Sequence, residues 1–251
     1  MATDFSTASN PQQSKPWNVG FTLGITVFFI VVIALVGVIA STSMRLAVWI
    51  GTLILLSLFL LVLGRGITGQ WLGFLIDNRK KMSLSRFQIG LWLLLTGSAF
   101  LVAALTNLYI VIFNTPLKAL SITIPSELLA LFGVSAASLA GASTILNAKK
   151  NAQQQVAHHE SREEAEWYDM FKGDDVANAD YLDLSKVQMF FFTIILVIIY
   201  GVALGTMFMG VGDGVNPTLA ITSFPTLSAT MVTLLGISQA GYLAYKAVPR
   251  K

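Results

Sequence analysis

Two short motifs set a hydroxyl inside apolar sequence. Gly133-x-Ser135-x-Ala137 and Gly236-x-Ser238-x-Ala240 each place a serine beside a glycine in a run of Leu, Val and Ile. Such a serine can attack a peptide or ester carbonyl within a membrane, provided a neighbouring base, commonly His, takes its proton. The only histidines are His158 and His159, in a polar stretch far from both serines. The reaction lacks its base, so no catalytic residue is assigned and the chain reads as a non-enzyme. The same hydroxyls suit a plainer chemistry, bonding a carbonyl of the preceding turn or a neighbouring helix. Glu127 is the one acidic residue close to an apolar run. A carboxylate in a membrane is a functional candidate by default, but this one falls at interfacial depth. His158 and His159 are adjacent and diverge on a helix, and the Asp spacing around Gly173 departs from the calcium-loop pattern. No metal and no cofactor are expected.

The elements that hold these serines must be membrane spans. Of 251 residues, 55% are hydrophobic and 12% charged, against about 25% charged in soluble domains. The mean hydropathy is +0.70. A helix of roughly 20 residues crosses the bilayer core. Six apolar runs meet that length, at 18–41, 46–64, 87–113, 125–147, 187–209 and 225–247. The expected fold is an all-α polytopic membrane protein with six transmembrane helices. Residues 1–16 read as a polar tail rather than a signal peptide. With six spans and both termini in the cytoplasm, fourteen of the sixteen Lys and Arg residues fall inside, leaving Arg45 and Lys118 outside. That segregation is the positive-inside pattern. The net charge of +3 therefore reports orientation and gives no reason to expect a nucleic-acid partner. There is no cysteine, which excludes disulfides and thiolate metal sites.

The chain also repeats itself. Leu84-Ser85-Arg86-Phe87-Gln88 returns one hundred residues later as Leu184-Ser185-Lys186-Val187-Gln188. Ser-x-x-Gln is a capping box, in which Ser85 with Gln88, and Ser185 with Gln188, would exchange bonds with the backbone of a helix start. Leu84 and Leu184 would pack on Ile89 and Met189 as hydrophobic staples. Pro125 and Pro225 stand where a helix could begin. The Gly-x-Ser-x-Ala motifs follow in the same order. The reading is a tandem parallel repeat of a two-helix hairpin, with copies related by an axis along the membrane normal. The chain divides into a tail (1–16), a transmembrane hairpin (17–64), an interfacial segment (65–82), repeat hairpin 1 (83–147), an acidic segment (148–182), and repeat hairpin 2 with a basic C-terminus (183–251).

Small residues mark where helices approach closely in lipid. About half of residues 126–147 are Gly, Ala, Ser or Thr. Gly133, Ala137 and Gly141 share one face, which places this helix inside the bundle. Gly201 and Gly205 make the same pattern in the fifth run. These faces pack helices within one chain, or form a homo-oligomer interface, or line a polar pathway.

Two polar segments remain. Nine of the thirteen acidic residues lie between Glu160 and Asp183. Trp167, Met170 and Phe171 fall at i, i+3, i+4, one apolar helical face. The segment is a solvated loop or a docking element for a cytoplasmic protein, with Asp174 and Asp175 beside that face. Residues 67–81 put Ile67, Trp71, Phe74 and Leu75 ahead of Arg79, Lys80 and Lys81. They form either a helix lying in the interface, with the three cations at lipid head groups, or a plain connection.

The stretch WYDMFKGDDVANADYLDLSKVQMFFFT, with LLGISQAGYLAYK near the end, resembles a set of uncharacterised bacterial integral membrane proteins. They share an acidic aromatic loop, a Leu-Ser-Lys-x-Gln helix start and a C-terminal Leu-Gly-Ile-Ser helix. The resemblance spans roughly residues 83–247 and implies a bacterial inner (plasma) membrane location with no activity attached. The expectation is a channel-like or transport-associated bundle. The alternative is a membrane scaffold that recruits a partner through 151–182.

Overall fold

The computed structural model describes residues 17–39, 44–113, 120–210 and 220–248. The 1–16 tail, Lys118, Arg250 and Lys251 fall outside the described residues. Six α-helices follow in order: α1 Val19–Ile39, α2 Arg45–Thr68, α3 Leu84–Phe113, α4 Ser126–Asn151, α5 Leu184–Met209 and α6 Ala229–Ala247. Among the described residues the remainder is turns, single 3-10 turns and isolated β-bridges. Among the described residues four helices are long and apolar enough to cross a membrane: α2, α3 over Leu84–Ile110, α4 and α5.

The helix ends have local causes. α2 stops at Gly69, whose φ of 82° lets its N–H turn back to the Arg65 carbonyl, and α5 stops in the same way at Gly210. Only glycine adopts that left-handed cap without a Cβ penalty. α4 carries Glu127 in its first turn and Lys149 and Lys150 in its last, charges that complement the helix dipole.

The two Ser-x-x-Gln motifs do not cap. Both helices begin at the preceding leucine, so Ser85 and Ser185 sit inside the first turn. At α5 the cap is Asp183, whose carboxylate accepts from the backbone N–H groups of Ser185 and Lys186 and from the Ser185 hydroxyl. A carboxylate outcompetes a hydroxyl there because it carries charge to the positive end of the dipole. Gln88 instead reaches across to α5 and donates to Thr193 Oγ1 at 2.9 Å, while Gln188 is exposed. Leu184, 72% exposed, makes no staple. Pro125 is the residue before α4, but Pro225 precedes α6 by several residues. Asp183→Ala is expected to cost about 1 kcal/mol, read as a Tm lower by roughly 2–4 °C.

α3, α4, α5 and α6 pack together, α2 lies against α3 and α5, and α1 rests on α2. Trp92, Leu95, Val102, Leu131, Leu204 and Leu235 lie in the buried centre. Trp49 ties α2 to that centre. Its Nε1 donates to Ser98 Oγ at 3.0 Å, and its ring stacks on Phe208 at 5.3 Å. Bulky residues such as Phe191, Ile195, Ile198 and Val202 stay exposed along α5, an apolar surface that suits lipid.

Residues 67–81 do not form a helix. After Gly69 the chain makes a 3-10 turn at Gly73–Leu75 and a tight hairpin closed by an Ile76–Met82 bridge. Gly73 packs against the Thr68 side chain and the Gly64 carbonyl, where a Cβ would collide. Leu75 is buried while Ile67 and Trp71 are exposed, so these apolar residues do not share one side as they would in an interfacial helix.

Candidate functional site

Two polar regions stand out, one at the charged end of the bundle and one along its interior. At the charged end, residues 152–183 fold back as a cap over the helix ends. Bridges Val156–Asp175 and Lys172–Leu182 shape it, with 3-10 turns at Trp167–Met170 and Val176–Asn178. Reciprocal capping occurs here: Asp169 accepts from the Glu166 N–H, and Asn178 Oδ1 from the Asp175 N–H.

Asp174 is the hub of the cap. Its carboxylate meets Lys246 Nζ at 2.6 Å, Arg79 Nη1 at 2.8 Å and Lys186 Nζ at 3.1 Å. Those cations come from α6, the 76–82 hairpin and α5, so one carboxylate joins three elements to the cap. Burial alone would push the Asp174 carboxyl up, but Lys186, Lys246 and Arg79 outweigh it and hold it well below the usual carboxylate range. Burial would likewise lower Arg79, and Asp174 and Asp77 more than reverse that, leaving it raised. Lys81 runs the other way: burial lowers it, and Asp169, 3.8 Å away, recovers only part. Asp175 takes Lys149 at 2.7 Å. His159 Nε2 lies 3.0 Å from the Asp169 carboxylate. Met170 is fully buried. Phe171 packs edge-on against Phe190, and Trp167 against Phe87.

This overturns two expectations. Asp174, Asp175 and Met170 are buried inside the molecule and do not face a docking partner, while Glu160, Glu163, Glu164, Glu166 and Asp180 of the same segment stay exposed. Arg79 and Lys81 are committed to carboxylates, and Lys80 donates to the Glu160 carbonyl, so none of the three is free for a lipid head group. The acidic segment and the basic hairpin exist for each other.

Inside the bundle, buried polar atoms without a partner among the described residues occur on α3, α4 and α6. Ser135 and Ser138 of α4, and Ser238 and Gln239 of α6, are all at most 3% exposed. Among the described residues no partner meets Ser135, Ser138 or Ser238 Oγ, or Gln239 Oε1 and Nε2. Ser135 stands nine residues into α4 and Ser238 nine into α6. At 1.5 Å per residue both lie about 14 Å from the end opposite the cap. Buried atoms without partners continue on α3 at Gln88 Oε1, Trp92 Nε1 and Thr106 Oγ1. Those residues lie 4, 8 and 22 positions into α3, roughly 6, 12 and 33 Å along it. Opposite the cap, residues 220–228 fold inward. Asn107 exchanges two 2.7 Å bonds with the Ile221 backbone, and Tyr200 donates to the Pro225 carbonyl.

The expected small-residue faces divide. Gly205 receives Trp49 of α2, Gly201 faces Leu95 of α3, and a Cβ built at Gly141 would stand 3.1 Å from Leu243 of α6; these are packing contacts within the chain. Gly133 and Ala137 are exposed, and among the described residues no atom stands within 4 Å of a Cβ built at Gly133 or Gly236. α4 turns Leu128, Leu131, Ser135, Ser138 and Ala142 inward instead, because burying its leucines gains more contact than burying its smooth face. Ser135 and Ser238 thus belong to the interior, and Gly133 and Ala137 to the outer surface.

Sequence reasoning did not single out Gln239, Gln88 as a cross-helix donor, Asn107 or Trp49. Gln239 was legible in principle, as an uncharged polar side chain inside an apolar run. Comparison of the chain with protein-family models, with curated proteins and with solved structures gives no match.

Proposed function

We propose that this is a non-enzymatic, channel-like or transport-associated membrane protein that passes small uncharged polar solutes along the interior of the α3–α6 bundle. The observation that carries the reading is the set of buried polar atoms on α3, α4 and α6 without partners among the described residues. Each costs roughly 1–3 kcal/mol when left unsatisfied, and no water reaches them through hydrocarbon. A polar occupant moving among them would satisfy them in turn. The groups are neutral, which favours an uncharged solute over an ion.

In the same reading all six helices span the bilayer, and α3–α4 and α5–α6 are copies of one hairpin. Support comes from the opposite end, where Thr123 and Ser223, one hundred positions apart, pair in parallel. The Thr123 N–H donates to the Thr222 carbonyl, and the Phe224 N–H to the Thr123 carbonyl. Equivalent strands meeting in parallel suit copies that enter from one leaflet. The charged end faces the cytoplasm of a bacterial inner membrane, as the positive-inside pattern asks. The exposed Gly133–Ala137 face suits a homo-oligomer contact.

The test is osmotic swelling of proteoliposomes with glycerol and urea. Wild type should raise permeability well above protein-free vesicles. Gln239→Leu should lower it at least tenfold while leaving thermal stability equal or higher, since an orphaned amide is replaced by apolar atoms of similar size. Vesicles no more permeable than empty ones, or a Gln239→Leu variant as permeable as wild type, would defeat the proposal. The scaffold alternative keeps one observation: Trp167, Tyr168, Tyr181 and Leu182 remain exposed on the cap.

A further inference from the structure

A cleft opens where α2, α3 and the 76–82 hairpin meet. It comprises two adjoining hollows of about 540 and 550 Å³ that share Leu60, Phe74, Asp77, Asn78 and Arg86. One continues along α2 past Leu63 and Ile67; the other runs between α3 and α4 past Ile89, Leu93 and Leu139. The walls toward the bundle are aliphatic and the floor toward the charged end is cationic. Arg86 stands in the first turn of α3, on the boundary between the two.

Arg86 differs from the cations around it. Arg79, Lys81, Lys149, Lys186 and Lys246 each have an aspartate within 4 Å. Among the described residues Arg86 has none, and no hydrogen bond reaches its side chain. Asp77 is the one carboxylate lining either hollow, and Arg79 holds it with both Nε and Nη2. Lys80 and Arg162 line the same floor and add positive charge. The matching position on α5 shows what is missing. There Asp183 caps the helix and Asp174 neutralises Lys186. On α3 position 83 is Ser and the first turn holds no acid. A guanidinium beside an uncompensated helix start needs an anion from elsewhere.

We infer that this cleft binds an anionic phospholipid, its phosphate on the Arg86 guanidinium and an acyl chain along the aliphatic wall. A soluble anion would leave that wall bare, and a zwitterionic lipid would bring an ammonium into a cationic floor. The inference rests on the membrane reading alone and holds whether or not the bundle conducts.

The test uses delipidated full-length protein in mild detergent, with phosphatidylglycerol, phosphatidylcholine or inorganic phosphate added and bound lipid counted by native mass spectrometry. Wild type should retain phosphatidylglycerol at least tenfold better than phosphatidylcholine. Arg86→Gln should erase that preference and Arg86→Lys should keep part of it. Gly90→Leu, which keeps every charge but projects into the hollow beside Phe74, should weaken retention several-fold, separating a built cleft from general surface charge. Equal retention of the two lipids by wild type would overturn the inference, as would undiminished selectivity in both Arg86→Gln and Gly90→Leu. Displacement of the lipid by millimolar phosphate would also overturn it, by showing a site for free anions.

Discussion

Asp174→Asn is expected to undock the cap. The substitution leaves Lys186 and Lys246 buried with no carboxylate in contact, and Arg79 with Asp77 alone. Removing one partner of a buried ion pair costs about 3–5 kcal/mol, and here a single residue serves three cations. The loss should appear as a large fall in thermal stability in detergent and as new protease cleavage within 152–183, both absent from wild type. Asp180→Asn, at an exposed position of the same segment, should change neither. The pH response follows from the sign of the shift. The folded Asp174 carboxyl is held below its ordinary value of 3.8, so its contribution is full above that value. It drains as pH falls through the lower folded value. The cap should therefore stay docked at neutral and mildly acid pH and loosen only in strong acid. Asp174→Asn should lose that acid transition. A variant as stable and as protease-resistant as wild type would show that the cations find other partners.

Trp49→Ala is expected to have the next largest effect. Its ring is stacked on Phe208, its Nε1 bonds Ser98, and its edge fills the space left by Gly205. Truncating a buried Trp costs roughly 3–5 kcal/mol. In lipid that figure reflects lost van der Waals contact and an orphaned Ser98 partner, since apolar transfer contributes little between helices. The readout is unfolding in a mixed-micelle denaturant titration. The native chain lacks cysteine, so an engineered pair across α2 and α5 reports their separation without background. Trp49→Phe should recover most of the stability by restoring the stack. If Trp49→Ala unfolds at the same denaturant fraction as wild type, α2 is held by other contacts.

These two residues show where sequence reasoning stops. Trp49 is one aromatic among many in apolar runs, and nothing local marks it as the anchor of α2. Asp174 lies in a segment whose charge density suggests solvent, because charged residues are ordinarily exposed. Two of its three partners are 95 and 72 positions away, beyond any pattern of local periodicity. The cap misread follows from that distance: an acidic segment and a basic hairpin look like two solvated surfaces until the fold brings them together.

By itself the sequence determined where the helices lie. The expected runs 46–64, 87–113, 125–147 and 187–209 fall within α2 to α5, apart from Pro125 just before α4. Hydropathy summed over some twenty residues is a property of composition that no tertiary contact reverses. It also determined which residues share a helix face, since the 3.6-residue period is set by the backbone. Only the tertiary structure decided what each face meets. Gly133 and Ala137 turn outward while Ser135 turns inward, Gln88 bonds Thr193 instead of its own helix start, and Arg86 meets no carboxylate among the described residues while Lys186 meets Asp174. Such outcomes depend on which distant group arrives within about 3 Å, and in a bundle that is settled by packing all the helices at once.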